Sequence, residues 1–244
     1  MPAADPHPTT RTLAIIPAFN EAAALPETIA ELLAAHPELD VVVVDDGSRD
    51  ATAKVARELG VVVLRLPFNL GIGGALRCGF RYAVRAGYRR ALQFDADGQH
   101  DPGQIDALLA PLDDGADLVI GVRFGGTGSY RVGRSRRLAM GVLRGLTRLL
   151  TGRRFADTSS GFRAFSRPML ERFAEDYPLE YMDSVEALVL AVRDGYEVRE
   201  VPTVMRERSA GVASNRRFRL AYHYLRLLVV LGTSRVRPKP IGPV

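Results

Sequence analysis

Val41-Val42-Val43-Val44-Asp45-Asp46-Gly47-Ser48 and Ala91-Leu92-Gln93-Phe94-Asp95-Ala96-Asp97-Gly98 are two short, mostly apolar runs that each end in a pair of carboxylates. An unbroken β-branched run such as Val41 to Val44 predicts a strand buried on both faces, because a strand with one wet face would alternate polar and apolar residues. Buried strands of this kind form parallel sheets, and ligands of open parallel sheets bind beyond the carboxyl ends of the strands. Both acidic pairs therefore fall on the edge where a ligand is expected.

Outward from these runs, strands and helices alternate. Leu13 to Ile16 is an apolar run ending in Pro17, and Glu21 to Ala35 has helical spacing through Leu25, Ile29, Leu32 and Leu33. Asp50 is placed to cap a helix over Ala51 to Leu59, and Val61 to Leu66 predicts a third strand. Gly71 to Ala86 predicts a helix, Ala91 to Phe94 a fourth strand, Pro102 to Leu112 a helix capped by Asp101, and Leu118 to Ile120 a fifth strand. This order predicts an α/β fold with a mostly parallel central sheet flanked by helices. Past Gly121 the alternation stops. A basic helical stretch spans Ser135 to Leu150, Gly161 to Phe165 is strand-like, Ser184 to Arg193 is helical, Glu197 to Val201 is a strand, and a last helix runs from Arg216 to Leu231. No linker separates this second lobe, which is expected to complete the site.

Composition excludes several classes. The 244 residues are 47% hydrophobic and 25% charged with 23 Gly and 15 Pro, proportions of a globular protein and not of a disordered, collagenous or coiled-coil chain. Cys78 is the only cysteine, so neither a disulfide framework nor a cysteine zinc site can form, and a reducing compartment fits. Met1 to Thr10 lacks the charged start and apolar run of a secretion signal. No stretch reaches the roughly 18 to 20 apolar residues of a membrane span. The expectation is a cytoplasmic protein, peripheral on a membrane at most. The net charge of +5 is unevenly spread: residues 1–120 carry 10 Lys and Arg against 17 Asp and Glu, residues 121–244 carry 23 against 11. From Gly121 to Arg154 there are nine arginines and no acid, a block suited to phosphates, nucleic acid or an anionic membrane surface.

Clustered carboxylates repel unless a hard divalent cation, sharing its ligands with substrate phosphates, neutralises them. Asp95-Ala96-Asp97 is followed by Gln99 and His100, further candidate donors. Of the four histidines (His7, His36, His100, His223) only His100 lies near this site, as a residue of the helix start or a metal ligand. Gly71-Ile72-Gly73-Gly74 would suit a dinucleotide-binding oxidoreductase, but the glycine that fingerprint needs at position 76 is Leu76. Nothing in the chain matches a nucleic-acid recognition motif, and a non-enzymatic nucleotide- or nucleic-acid-binding module is the remote alternative. Cys78 has no base visibly paired with it and reads as a buried helix residue.

Four segments in order, Ile15-Ile16-Pro17-Ala18-Phe19-Asn20-Glu21, Val42 to Thr52, Asn69 to Ala75 and Asp95 to His100, resemble the successive motifs of family-two inverting glycosyltransferases with the GT-A fold. Asp157-Thr158-Ser159-Ser160-Gly161-Phe162-Arg163, Glu186-Ala187-Leu188, Glu200-Val201-Pro202 and Arg208-Ser209-Ala210-Gly211 resemble the branch holding dolichol-phosphate mannose synthases and bacterial polyprenyl-phosphate hexosyltransferases. The resemblance implies that Pro17, Phe19, Glu21, Asp45, Asp46 and Gly71 hold the nucleotide of a sugar donor. It implies that Asp95 and Asp97 face the diphosphate, with Asp97, Gln99 and Asp95 as ligands of a divalent cation, Mg2+ or Mn2+. Arg123 matches the arginine set against a lipid phosphate, with Arg131, Arg134 and Ser135 as looser matches, so that Asp97, Arg123 and Arg134 are the implied catalytic residues. Arg208 matches the element that closes over the donor diphosphate. After that glycine, mannose synthases carry Ser-Lys where this chain has Ala213-Ser214-Asn215.

The implied partners are a nucleoside diphosphate sugar, a polyprenyl phosphate of the undecaprenyl type and a membrane surface, not nucleic acid. A phosphate monoester acceptor is already anionic at neutral pH and needs arginines to hold it, not a base; a sugar hydroxyl acceptor would need a carboxylate base, for which Asp183 or Glu186 is placed. The expected organisation is a tail over residues 1–10, a glycosyltransferase domain over 11–215 divided into a nucleotide-sugar half (11–120) and an acceptor half (121–215), an amphipathic helix over 216–233 and a tail over 234–244. Arg216, Arg217 and Arg219 ahead of Tyr222, Tyr224 and an apolar end give that last helix the composition of an interfacial helix or of a core helix with a basic start.

Overall fold

In the computed structural model, residues 11–122, 134–178 and 183–206 are described. In chain order they form β1 (Thr12–Ala18), α1 (Leu25–Ala35), β2 (Asp40–Asp45), α2 (Thr52–Glu58), β3 (Val62–Arg65), α3 (Ile72–Arg85), β4 (Arg90–Gln93), α4 (Ile105–Asp113), β5 (Leu118–Val122), α5 (Arg134–Thr151), β6 (Arg163–Ser166), α6 (Arg167–Glu175), α7 (Asp183–Arg193) and β7 (Val198–Pro202). The strands make one sheet in the order β3-β2-β1-β4-β6-β5-β7. All neighbours are parallel except β6, which runs antiparallel between β4 and β5. The predicted α/β class with a mostly parallel sheet is what is observed. The second half, however, is woven into the same sheet through β5, β6 and β7.

Alternate residues of the apolar strands feed two cores, one on each face. Leu13, Ile15, Val42 and Val44 pack under α3 and α6 around Phe80, whose ring meets Phe165 edge-on at 4.9 Å and Tyr177 at 5.1 Å. Ala14, Ile16, Val41, Val43, Leu92 and Phe94 pack on the other face with Leu25, Ile29 and Leu32 of α1 and Leu108 of α4. Burial on both faces is the physical reason the strands carry no alternation.

Boundaries shift where local chemistry intervenes. α1 starts at Leu25 and not at Glu21, because Pro26 supplies the fixed φ of a first turn and the amides of Ala24 and Leu25 bond the Glu21 carbonyl in a preceding turn. The residue flanking α2 is Ala51, yet Asp50 still accepts the Thr52 amide at 2.9 Å. Asp101 caps a short 3-10 turn, Pro102–Gln104, by accepting the Gly103 amide at 3.0 Å. α6 has no counterpart in the pattern of the sequence, although Ser166 caps it and Pro168 opens it.

Candidate functional site

Parallel pairing of β1 with both β2 and β4 brings the two acidic turns to one edge, on either side of the end of β1. The Asp45 turn is closed by main-chain donors. Ser48 N donates to Asp45 Oδ1 at 3.0 Å, while Leu70 N and Gly71 N donate to the two oxygens of Asp46 at 2.7 and 2.9 Å. Both carboxylates are buried, and the Arg65 guanidinium lies 3.4 Å from Asp45 Oδ2. Burial pushes the Asp46 carboxyl above its ordinary value and the charge of Asp45 adds to the rise, against the two amide bonds that lower it. Gly47 has φ +70°, and a Cβ there would stand 2.6 Å from the Phe68 carbonyl carbon, so only glycine lets the loop before α3 come this close.

The loop after β1 is tied to the same turn. Asn20 N donates to Ser48 Oγ and Glu21 N to Thr52 Oγ1, each at 2.9 Å, and Arg49 N donates to Asn20 Oδ1 at 2.8 Å. Pro17, Glu21, Asp45, Asp46 and Gly71 are thus brought together by three cross-linked loops. Phe19, Phe68, Leu70 and Ile72 remain exposed on these loops, an apolar rim beside the acids.

The Asp95 turn is held by side chains. Gln93 Nε2 donates to Asp95 Oδ1 at 3.0 Å, and Asp95 N donates to His100 Nδ1 at 3.0 Å. Gln99 N donates to Asp97 Oδ1 at 3.1 Å, and Gln99 O accepts the Arg206 amide at 3.0 Å. The Asp95 side chain keeps 29% of its surface exposed, against 1% for Asp45. Gly161 presses on the same carboxylate: a Cβ there would stand 3.0 Å from Asp95 Oδ2 and 2.9 Å from Gln93 Nε2.

Behind Gly161, Arg163 is buried and donates to the Ser160 carbonyl at 2.8 Å and the Ser184 carbonyl at 2.8 Å, fixing the loop before β6 to the start of α7. Asp157 accepts the Ser159 amide at 3.1 Å, and Glu200 accepts the amides of Ala156 and Asp157 at 2.9 and 3.2 Å. The segment from Asp157 to Arg163 is thereby tied to Glu200 of β7 and to the start of α7, with its Gly161 against the Asp95 carboxylate. Glu186 is half-buried on α7.

Among the described residues, no three His, Cys, Asp or Glu side chains are grouped closely enough to hold a metal ion by themselves. Two carboxylates and the Gln99 amide are nonetheless hard oxygen donors of the kind that hold Mg2+ or Mn2+ together with substrate phosphates, and in this respect Asp95, Asp97 and Gln99 fit such an ion. Arg123, Arg131, Arg208 and the helix expected over 216–233 lie outside the described residues, as do the tails 1–10 and 234–244. Arg134 and Ser135 open α5 and Asp183 opens α7, with their side chains outside the description. The pattern of the sequence did not single out Gln93, His100 as a partner of Asp95, or the amides of Leu70 and Gly71. A polar residue at position 93 inside an apolar run was the one available signal.

The sequence profile described as "Glycosyl transferase family 2" matches residues 13–173. The chain is 36% identical over 219 residues to polyprenol monophosphomannose synthase of Mycolicibacterium smegmatis, covering 84% of this chain and 81% of that protein. It is 35% identical over 210 residues to undecaprenyl-phosphate mannosyltransferase of Micrococcus luteus, covering 82% and 86%. The fold matches the crystal structure of glucosyl-3-phosphoglycerate synthase from Mycobacterium tuberculosis, in complex with Mn2+, UDP and phosphoglyceric acid, with a TM-score of 0.69 at 23% identity over 92% of this chain and 78% of that one.

Proposed function

Because this chain belongs to glycosyl transferase family 2, we propose that it makes a lipid-linked sugar, by inverting transfer of a hexose from a nucleoside diphosphate sugar to a polyprenyl phosphate of the undecaprenyl type. The product would be a donor for cell-envelope glycan assembly. The observation that carries the acceptor is the reach of the likeness to polyprenol monophosphomannose synthase: 84% of this chain is too much to end at residue 173, where the family match stops. It therefore takes in part of the acceptor half, and the arginine block from Arg123 to Arg154 lies inside the family match.

Pro17, Phe19, Glu21, Asp45, Asp46 and Gly71 hold the nucleotide, with the exposed apolar rim against the flat base and the acids toward its N–H and hydroxyl groups. Asp95 faces the diphosphate, and Arg208 closes over it. Asp97 and Gln99, with Asp95, hold a divalent cation, Mg2+ or Mn2+. When bound, the ion neutralises the charge that gathers on the departing diphosphate. Arg123, Arg131, Arg134 and Ser135 hold the acceptor phosphate, whose oxygen needs no base and attacks the anomeric carbon in line as the bond to the diphosphate breaks. Asp97, Arg123 and Arg134 thus carry the transfer.

No helix among the described residues is long and apolar enough to cross a membrane. α5 exposes Val142 and Leu149 beside exposed Arg144 and Arg148, an interfacial mixture that supports peripheral contact with an anionic membrane surface. We place that contact on the cytoplasmic face, together with the amphipathic stretch 216–233.

The test is transfer of radiolabelled sugar from a panel of nucleoside diphosphate sugars, with Mg2+ or Mn2+, into a solvent-extractable polyprenyl-phosphate product. Label in the lipid phase is the expected result and names the donor. Donor turnover with label only in water or in a soluble glycan would overturn the lipid acceptor and turn attention to Asp183 and Glu186.

A further inference from the structure

His100 is 2% exposed and lies directly behind the acid pair. Its Nδ1 accepts the amide of Asp95 at 3.0 Å, which assigns the proton of the neutral ring to Nε2. That nitrogen lies 3.5 Å from Asp95 Oδ2. One imidazole thus meets both the main chain and the carboxylate of the same residue. The ring itself cannot swing, since it stacks on Phe162 at 4.6 Å and 28° and meets Phe94 edge-on at 5.5 Å. Its backbone pairs with Met205 in an isolated bridge. On the opposite oxygen, Gln93 fixes Oδ1.

We propose that His100 is a positioning residue which aims the Asp95 carboxylate at the diphosphate site, its Nδ1 fixing the Asp95 main chain and its Nε2 facing the carboxylate at 3.5 Å while Phe162 holds the ring. The proposal rests on the reading of Asp95, Asp97 and Gln99 as the cation site. Outer partners that orient a ligating carboxylate typically change metal affinity about 10- to 100-fold when removed. Phe162 belongs to the loop before β6, so the same ring transmits the position of the acceptor half to the acids of the donor half.

Mn2+ binding, measured by electron paramagnetic resonance with GDP or UDP present, separates the outcomes without recourse to turnover. His100→Phe keeps a flat ring in the stack and removes both nitrogens; it should melt near wild type and bind Mn2+ at least about tenfold more weakly. His100→Asn restores an acceptor near the Nδ1 position and should recover part of that loss. In turnover, His100→Phe should lower kcat with little change in KM for the lipid phosphate. Wild-type Mn2+ affinity in folded His100→Phe would overturn the proposal, as would a fall in melting temperature with no fall in Mn2+ affinity. Asp97→Ala serves as the control for the underlying reading: if it too binds Mn2+ like wild type, the cation site itself is misplaced, whereas loss in Asp97→Ala alone sinks only the role of His100.

Discussion

The two acidic turns look alike in sequence and are built in opposite ways. At the end of β2, Asp45 and Asp46 are buried: Asp45 Oδ1 accepts the amide of Ser48 in its own turn, and both oxygens of Asp46 accept amides of the loop before α3 and so tie that loop to the turn. At the end of β4, Asp95 keeps part of its surface open and is gripped by the side chains of Gln93 and His100. A carboxylate satisfied by main-chain donors acts as a structural tie. Asp95, held by side chains, keeps an open face, while its neighbour Asp97 is buried and accepts the Gln99 amide. Two like pairs of charges thus form a tie between loops at one strand end and leave a partly open carboxylate, Asp95, at the other.

The role proposed for the second turn is broken most severely by Asp97→Ala, although this carboxylate is itself buried and accepts the Gln99 amide. Turnover with Mg2+ or Mn2+ should fall by a factor on the order of a hundred or more, the usual cost of one preorganised electrostatic partner, while the melting temperature stays within a few degrees. Unchanged turnover measured over a range of metal concentrations would remove Asp97 from the reaction. Gly47→Ala should show the converse. Its φ of +70° and the 2.6 Å approach of a Cβ to Phe68 force the loop apart, at a cost of about 1 to 3 kcal/mol. For a chain of this size that is a drop of several degrees in melting temperature, read by calorimetry, with Mn2+ affinity at the other turn retained. A fall in Mn2+ affinity equal to that in Asp97→Ala would show that the two turns are one unit.

The legibility of the molecule follows the same divide. Val41 to Val44, Leu13 to Ile16 and the helices between them are local patterns with both faces buried, and they could be read directly. The carboxylates at the strand ends were legible because topology forces strand ends to one edge. β6 was visible as a strand, but its antiparallel place between β4 and β5 depends on pairing between residues about 70 apart, such as Leu92 with Ala164. No local signal specifies such a pairing. His100 illustrates the same limit within the site: its spacing from Asp95 is short enough to suggest a metal ligand, whereas its place behind the acid is set by Phe162, brought from the far half of the chain. α6 escaped notice although Ser166 and Pro168 are ordinary start signals, because its apolar residues Met169, Leu170 and Phe173 span little more than one turn.

The finest test of the contrast is the pH dependence of Asp46→Asn. Burial raises the Asp46 carboxyl above its value in the unfolded chain, the reverse of a carboxylate stabilised by an ion pair. Between the unfolded value and the raised one the folded state binds the proton and the unfolded state does not, so stability from this group increases as pH falls and is lost as pH rises through the folded value. Asparagine cannot titrate and keeps only one acceptor oxygen for the two amides of Leu70 and Gly71. Where the wild-type carboxyl is ionised, the variant sheds the buried charge but leaves one amide facing an NH2 group, two effects of opposite sign and similar size, so the melting temperature should move little. On acidification from neutral toward the ordinary Asp range, wild type should gain on the variant, by a margin small beside the effects of Asp97→Ala and Gly47→Ala. Parallel melting curves across that range would mean that Asp46 titrates alike in both states and that its burial carries no charge penalty.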